Sequence, residues 1–557
     1  MTNDQKVLAL LAGGLLFRAI IATWLYPGFD EAYYFLYTLH LDLSYFDHPP
    51  LVALITGFGC WLTGDVSQFT IRLGTLILHT VSLFLLYLTG ARLFSPPAGI
   101  FALAIASLVP IFQIGFGTLT LPDSPLIFFW TASLYCASWE FFPKQSEKYQ
   151  PSYRLALLGL LVGLACLGKY HGFLLGLGLI GFCLTSSRYR SALISPWTLL
   201  GLGLFLLAIS PILIWNSQHE WVSFRFQSRR GIPSGGYNFL DLFITFLSGI
   251  GYLFPTLGLP LWWVSLKSFF EKFHAKTQRR EAASRKSRRK EEKKVSSLRL
   301  GDLARQKSQD FTNHRERELL ILWVSLPLIL GFTWLGGYKQ ILPTWAMPGF
   351  WGATLLLGQA AANWKITHPR WVRRWLWGTG ITLSSLILFV LLHMSVGTLQ
   401  KPSQYALFGG FVAPEDDPSI QLFDIQQLRQ GFATSPILLS ALQNSSFVFT
   451  NRYYLAGQIG MALAPVAPTP MTTFDRDLRG FAFWSKADQW LGKDALYVTN
   501  NLFVQEQKFL DRYNLYFQSI EKIGTIPIRR GGAIIDTFRV YRAQNLLKPY
   551  PKPYGRE

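Results

Sequence analysis

Eleven stretches of this chain are apolar and almost free of charge, and they limit its fold more than anything else in it. They lie near residues 7–26, 70–90, 97–115, 124–142, 155–168, 172–187, 196–215, 239–265, 319–335, 343–361 and 376–397. A helix that crosses a hydrocarbon layer of ~30 Å needs roughly 20 such residues, because only internal hydrogen bonds can satisfy its backbone there. The fifth and sixth runs are short, so one broken hairpin is an alternative to two crossings. Composition agrees: 50% of residues are hydrophobic and 15% charged, against ~25% charged in soluble proteins. A disordered chain and a disulfide scaffold are excluded, and the four cysteines form no CxxC pair. The expected fold is an all-α polytopic membrane domain of about eleven helices over residues 1–397, followed by a small α/β domain over 398–557.

Basic residues orient the bundle. With the N-terminus in the cytoplasm, Arg92, Lys144, Lys148, Arg154, Arg188, Arg190, Lys365, Arg370, Arg373 and Arg374 all fall inside, whereas Pro27 to Ser67 contains no Lys or Arg. The segment Lys272–Arg317 holds 16 of the 52 basic residues. This charge suits a disordered cytoplasmic loop (271–318) that sets topology, and argues against nucleic acid as a partner. An odd number of crossings leaves the C-terminal domain outside. Its strands are expected at Ser446–Thr450, Ala495–Thr499 and Gly532–Tyr541. The location that follows is a bacterial inner or plasma membrane.

The outer segments carry more chemistry than connecting loops need. The first reads FDEAYYFLYTLHLDLSYFDHPP from Phe29 to Pro50. Its apolar spacing at Ala32, Phe35, Leu36 and Leu39 suits a helix lying in the interface. Asp30 and Glu31 flank it on one side, Asp47 and His48 on the other. Capping of a helix N-terminus would account for one member of the first pair, but not for the second pair. Asp123 lies in TLPDSP, Lys169 and His171 in GKYH, and Lys339 in GGYKQILPTW. The stretch Trp215–Arg230 supplies His219, Arg225, Gln227, Arg229 and Arg230. Cations on the side that disfavours them call for an anionic partner, and phosphate at headgroup level is a natural one. Trp215, Trp221, Trp334 and Trp345 are expected in the aromatic belt at the boundary.

DEAYY, YFDHPP, PDSP, GKYH and the WNSQHEW…SFRFQ stretch together resemble the polytopic GT-C glycosyltransferases. More closely, the chain resembles the bacterial branch of the dolichyl-phosphate-mannose–protein mannosyltransferase family, and more distantly lipid A aminoarabinose transferase. The resemblance covers residues 7–400. It implies transfer of one sugar from a polyprenyl-phosphate carrier to a protein, lipid or polysaccharide acceptor on the extracytoplasmic side. It places catalytic carboxylates at Asp30, Glu31 and Asp47, with Asp30 as base. Lys169, Arg225, Arg229 and Lys339 are expected on the donor phosphate, and His48, Asp123, His171 and His219 in acceptor binding or positioning. No cofactor is certain; a divalent cation, if used, would fall to Asp47, His48 and His219. The aminoarabinose transferases have Glu-Lys where this chain has Asp47-His48. A transporter or flippase that cleaves no bond is the competing class; it would place ionisable groups at mid-membrane and show internal repeats.

Overall fold

Three stretches of the first 100 residues set the frame of the computed structural model, which describes residues 1–143, 148–232, 235–288, 298–501 and 506–552. Helix α1 (Asn3–Trp24) begins at Thr2, whose side chain accepts from Gln5 N–H. A short helix α2 (Phe29–Leu39) and α3 (Leu51–Thr63) follow, then α4 (Leu73–Leu93). At a rise of 1.5 Å per residue α4 spans about 30 Å. Arg72, at its start, is tied to α1 and α2. Leu93, at its far end, accepts through its carbonyl from Arg317 Nη1 at 2.9 Å. The ends of the bundle are thereby defined.

The bundle continues with α5 (Pro96–Ala106), α6 (Asp123–Phe141), α7 (Arg154–Gly168), α8 (Gly172–Thr185), α9 (Pro196–Gln218), α10 (Val222–Gly231) and α11 (Phe239–Leu253). It closes with α12 (Pro255–Arg288), α13 (Leu298–Leu335), α14 (Met347–Thr367) and α15 (Pro369–Val396). Every apolar run of the sequence lies on one or two of these helices except 97–115, whose second half lies beyond α5. Among the described residues five helices are long and apolar enough to cross a membrane: Asn3–Trp24, Thr70–Leu93, Pro196–Gln218, Asn313–Leu335 and Pro369–Val396. The protein is an integral, multi-pass membrane protein.

Two runs are not the single helices expected. Residues 239–265 break between α11 and α12 with a bend of 115°. Phe254 has φ 67° and precedes Pro255, whose ring excludes the helical conformation from the residue before it. Residues 97–115 end as α-helix at Ala106; Pro110 brings no N–H, and the chain resumes as a π-helical turn over Ile111–Phe116. The loop expected to be disordered over 271–318 is helical in its described parts, with α12 running on to Arg288 and α13 beginning at Leu298, because the Ala, Glu, Gln, Lys and Arg that fill it are good helix formers; residues 289–297 lie outside the described residues.

The C-terminal region holds α16 (Ile425–Thr434), α17 (Pro436–Asn444), β1 (Phe447–Thr450), α18 (Tyr453–Leu463), β2 (Met471–Thr473), β3 (Ala495–Thr499), α19 (Glu506–Tyr513), β4 (Phe517–Arg530) and β5 (Ala533–Leu546). Its mixed sheet runs β2-β1-β3-β5-β4, with β1 parallel to β2 and β3, and β5 antiparallel to β3 and β4. The β4–β5 turn takes φ 57° at Gly531 and 82° at Gly532, the left-handed pair that a tight hairpin demands. β2 and β4 were not anticipated. β2 has only three residues, and β4 contains Gly524 and Pro527 with register shifts beside Lys522 and Ile528, which interrupt its alternation. β4 is an edge strand, where proline is tolerated.

One core lies inside the helix bundle. A second joins α2 and α3 to α16, α18 and one face of the sheet, with Tyr33, Tyr37, Leu36, Leu428, Ile459, Val448 and Phe538 all buried. This differs from the half-submerged helix expected. Ala32, Phe35 and Leu36 are buried as foreseen, but Tyr33, Tyr34 and Tyr37 are as well, and Leu39 is exposed. The reason is α18, which lies on α2 so closely that a Cβ at Gly457 would stand 2.7 Å from Tyr33 N.

Candidate functional site

Glu31 organises the N-terminus of α2. Its carboxylate accepts from Gly28 N–H at 3.1 Å and from Thr120 N–H at 3.0 Å. It also pairs with Arg72, whose Nε and Nη2 donate at 2.7 and 2.6 Å. Arg72 spends its remaining donors on the carbonyls of Ala22, Leu25 and Tyr26. Both side chains are fully buried. Of the two acidic residues there, Glu31 is the one that caps, and every oxygen it has is engaged.

One residue earlier on the same helix, Asp30 points the other way. Among the described residues its carboxylate makes no hydrogen bond and no ion pair. It is exposed, yet protein surrounds it closely enough for burial to raise its pKa above the ordinary carboxylate value. The Asp47 charge adds to that rise and Arg479 and Arg230 oppose it. Exposed surface combined with a crowded environment is the geometry of a residue lining an open cavity.

Asp47 closes the opposite wall. Tyr37 donates its hydroxyl to Oδ1, with the Tyr33 hydroxyl at 3.4 Å, and Arg479 Nη1 donates to Oδ2 at 3.0 Å. Burial pushes Asp47 up, but Arg479, His48 and the Tyr37 hydrogen bond outweigh it and hold the carboxyl below its usual value. Arg479 comes from the C-terminal region, in a left-handed conformation with φ 48° that a residue with a Cβ adopts only at a cost of about 1–3 kcal/mol. It is pinned by Asp477 at 3.2 Å, by stacking on Tyr453 at 4.3 Å, and by Gly480 N–H donating to Tyr33 Oη at 2.8 Å. Nothing in its local sequence marks it; only the packing of α18 on α2 brings it here.

His48 stands edge-on to Tyr34 at 5.4 Å. Burial pushes its pKa down to about 3; Asp47 opposes that fall, while Lys169, Arg230 and Arg479 reinforce it. It is therefore a neutral imidazole. Among the described residues its Nδ1 and that of His171 are buried without a hydrogen-bond partner. Lys169 is clasped by both oxygens of Asp123 at 2.8 Å, so the two charges neutralise each other. His171 packs against Phe332 and Trp345.

The α10 cations divide by helix face. Arg225 and Arg229, four apart, are exposed; Arg225 reaches Glu220 at 3.7 Å. Arg230 shares the other face with Phe226 and lies over Phe226 and Trp345 at 5.5 and 5.4 Å. Among the described residues it has no acidic partner in contact, and its charge acts on Asp30 and His48. Lys339 donates to the carbonyls of Arg229 and Ile232, both at 3.1 Å, fastening the end of α10. His219 stacks on Trp215 at 4.0 Å, and its Nδ1 donates to the Trp215 carbonyl at 2.7 Å. It faces a separate cavity of about 850 Å³ shared with Phe483, Lys486, Asp488 and Tyr550. Of the four tryptophans expected in a belt, Trp221 and Trp334 are exposed, whereas Trp215 and Trp345 are buried in the site's walls. Trp215 Nε1 donates to Asp42.

The structure thus brings together Asp30, Asp47, His48, Lys169, His171, Arg230 and Arg479. Arg225, Arg229 and Lys339 stay on the rim, and His219 turns to the neighbouring cavity. Among the described residues no three His, Cys, Asp or Glu side chains converge to hold a metal ion, so Asp47, His48 and His219 do not form a divalent-cation site. The i, i+4 spacing of Arg230 to Phe226 was visible in the sequence, but Trp221 stands at the same spacing from Arg225, so only the packing of α10 tells the two arginines apart.

Comparison with known proteins agrees with this architecture. Residues 47–215 match the family described as dolichyl-phosphate-mannose-protein mannosyltransferase. Undecaprenyl phosphate-alpha-4-amino-4-deoxy-L-arabinose arabinosyl transferase of Erwinia tasmaniensis is 29% identical over 134 residues, covering 24% of this chain and 23% of that protein. Lipid A galacturonosyltransferase RgtD of Rhizobium johnstonii is 22% identical over 359 residues, 64% of this chain and 65% of that protein. The chain therefore spans about a quarter and just under two thirds of these relatives. The crystal structure of ArnT from Cupriavidus metallidurans in the apo state superposes with TM-score 0.58 at 13% identity, over 96% of this chain and 97% of that one. The same protein bound to undecaprenyl phosphate gives 0.53 at 14% identity, with the same coverage. Residues 47–215 are thus similar to the dolichyl-phosphate-mannose-protein mannosyltransferases, and over nearly its whole length the chain has the fold of ArnT from Cupriavidus metallidurans.

Proposed function

We propose that the protein is a membrane glycosyltransferase that moves a single sugar from a polyprenyl-phosphate carrier to an acceptor hydroxyl, on the extracytoplasmic side, with Asp30 as general base. One observation carries this: of Asp30, Glu31 and Asp47, only Asp30 makes no hydrogen bond or ion pair among the described residues, and the charge of Arg230, which has no acidic partner in contact among them, acts on it. The family match at residues 47–215 and the ArnT fold support the chemistry.

An apolar groove of about 460 Å³ between α8 and α13 is walled by Leu174, Leu177, Trp323, Leu328, Phe332 and Trp334. Its Phe332 touches His171 and Trp345, and Trp345 carries Arg230. A polyprenyl tail lying in that groove would bring its phosphate to Arg230. The acceptor oxygen attacks the anomeric carbon as its proton passes to the Asp30 carboxylate. The bond from that carbon to the phosphate oxygen breaks, and polyprenyl phosphate leaves with its charge held by Arg230. A single base with no separate nucleophile implies inversion at the anomeric carbon. Asp47, fixed by Arg479 and Tyr37, holds the field around Asp30. The buried Nδ1 atoms of His48 and His171, unpartnered among the described residues, are available to sugar hydroxyls. Glu31 and Arg72 position α2, and the Lys169–Asp123 pair sets the potential at His48. The reading includes eleven crossings, residues 1–397 as the transferase domain and 398–557 as the outer domain.

The test is release of polyprenyl phosphate from a polyprenyl-phosphate sugar by purified protein with acceptor present. Asp30→Asn should remain folded and lose at least about 100-fold in turnover, the usual scale for a lost general base. Retention of more than about a tenth of turnover would exclude that role. Sugar translocation without bond cleavage would overturn the enzyme in favour of a flippase.

A further inference from the structure

At the end of the bundle opposite Asp30, α14 finishes and α15 begins, and a cavity of about 480 Å³ opens between them and α5. It is lined by Phe101, Lys365, Pro369, Arg370, Val372, Arg373, Leu376 and Trp377. Three cations and five apolar residues form this lining, and no carboxylate does. Among the described residues Lys365, Arg370 and Arg373 have no ion pair; the one contact of their charged groups is Lys365 Nζ over the Phe101 ring at 5.5 Å. The Arg370 and Arg373 positions lie one helical turn apart at the start of α15.

The surroundings fix the depth. Trp263, Trp364, Trp371 and Trp375 form a continuous aromatic group here, with Trp263–Trp364 at 5.7 Å and Trp371–Trp375 stacked at 5.6 Å. Ile366 is 82% and Trp377 68% exposed. Large exposed apolar side chains beside tryptophans at the ends of long apolar helices are what a bilayer's headgroup boundary requires. An isolated trio of cations at that depth repels itself unless an anion lies among them.

We infer that this cavity binds the headgroup of an anionic phospholipid, whose phosphate sits among Lys365, Arg370 and Arg373 while its acyl chains run along Leu376 and Trp377. Basic pockets between membrane helices recognise anionic lipids in this way. A free phosphate would satisfy the cations but would leave the apolar wall uncovered, which favours the lipid.

Native mass spectrometry of the full chain tests the site, with phosphatidylglycerol and phosphatidylcholine as probes. Phosphatidylglycerol should stay bound through delipidation and phosphatidylcholine should not. The triple variant Lys365→Ala/Arg370→Ala/Arg373→Ala should weaken retention about a hundredfold, at about one kilocalorie of surface attraction per cation. Arg373→Ala alone should cost about fivefold, and Arg370→Lys/Arg373→Lys should restore most of it. Arg374→Ala, outside the cavity lining, should leave binding unchanged. Equal retention of both lipids, equal losses for Arg373→Ala and Arg374→Ala, or displacement of the lipid by millimolar inorganic phosphate would each overturn the assignment. Because the readout is lipid binding, the result is independent of the proposed sugar transfer.

Discussion

Asp30 and Glu31 are adjacent, chemically almost alike, and do opposite things. A helix turns by about 100° per residue, so one carboxylate reaches back to the backbone and Arg72 while the other faces the cavity. The charges around Asp30 make its titration a direct probe of the site. As a base it works only when ionised, so activity falls as pH drops through its raised pKa. Asp47→Asn removes a charge that raises this pKa and frees Arg479 to lower it, so the acidic limb of the kcat/KM profile should move to lower pH. Arg479→Ala does the reverse and should move the limb to higher pH. Shifts in the same direction would show that Asp30 is not the titrating group. The α10 arginines offer a second comparison. Arg230→Gln should raise the donor KM by roughly tenfold or more, the scale of a charge-assisted contact with phosphate. Arg225→Gln, exposed beside Glu220, should change it little; equal effects would contradict the division of faces.

At the scale of elements, the site depends on α2 being trapped between the bundle and α18. The contact is backbone to backbone, and glycine at 457 is what allows it: a methyl there would stand 2.7 Å from Tyr33 N. Gly457→Ala should therefore push α18 from α2, lower thermal stability by about 1–3 kcal/mol as overpacking does, and reduce activity through displaced Arg479. Unchanged melting and turnover would show that α18 does not hold the pocket. The hairpin β4–β5 and the break at Phe254–Pro255 are local events of the same kind, set by residues whose backbone freedom is unusual. Proline and glycine at those positions were visible; that Phe254 would take φ 67° was not, since the angle reflects how α11 and α12 pack.

For the whole molecule, membrane bundle and C-terminal region share one buried core, so neither completes the pocket alone. Removing residues 398–557 would bare Tyr33, Tyr34, Tyr37 and Leu36 of α2 and delete Arg479. The truncated chain should lose its monodisperse peak in detergent size-exclusion chromatography and lose all transfer activity; a well-behaved, active truncation would refute the shared core.

The membrane character of the chain, the positions of its apolar helices and three of its five strands were legible in the sequence, and Asp30, Asp47, His48, Lys169 and His171 could be named there as candidates. They follow from properties a single segment carries: hydrophobic length, charge and short motifs. What decided the rest was contact between distant segments. Glu31, a cap through the nearby Gly28 N–H, is sequestered because Arg72 and Thr120 meet it, Lys169 was matched to Asp123 across 46 residues, and Arg479 arrived from 432 residues away to hold Asp47. A carboxylate's role is set by which charges and donors surround it, and that is a property of packing, which no local pattern of residues encodes.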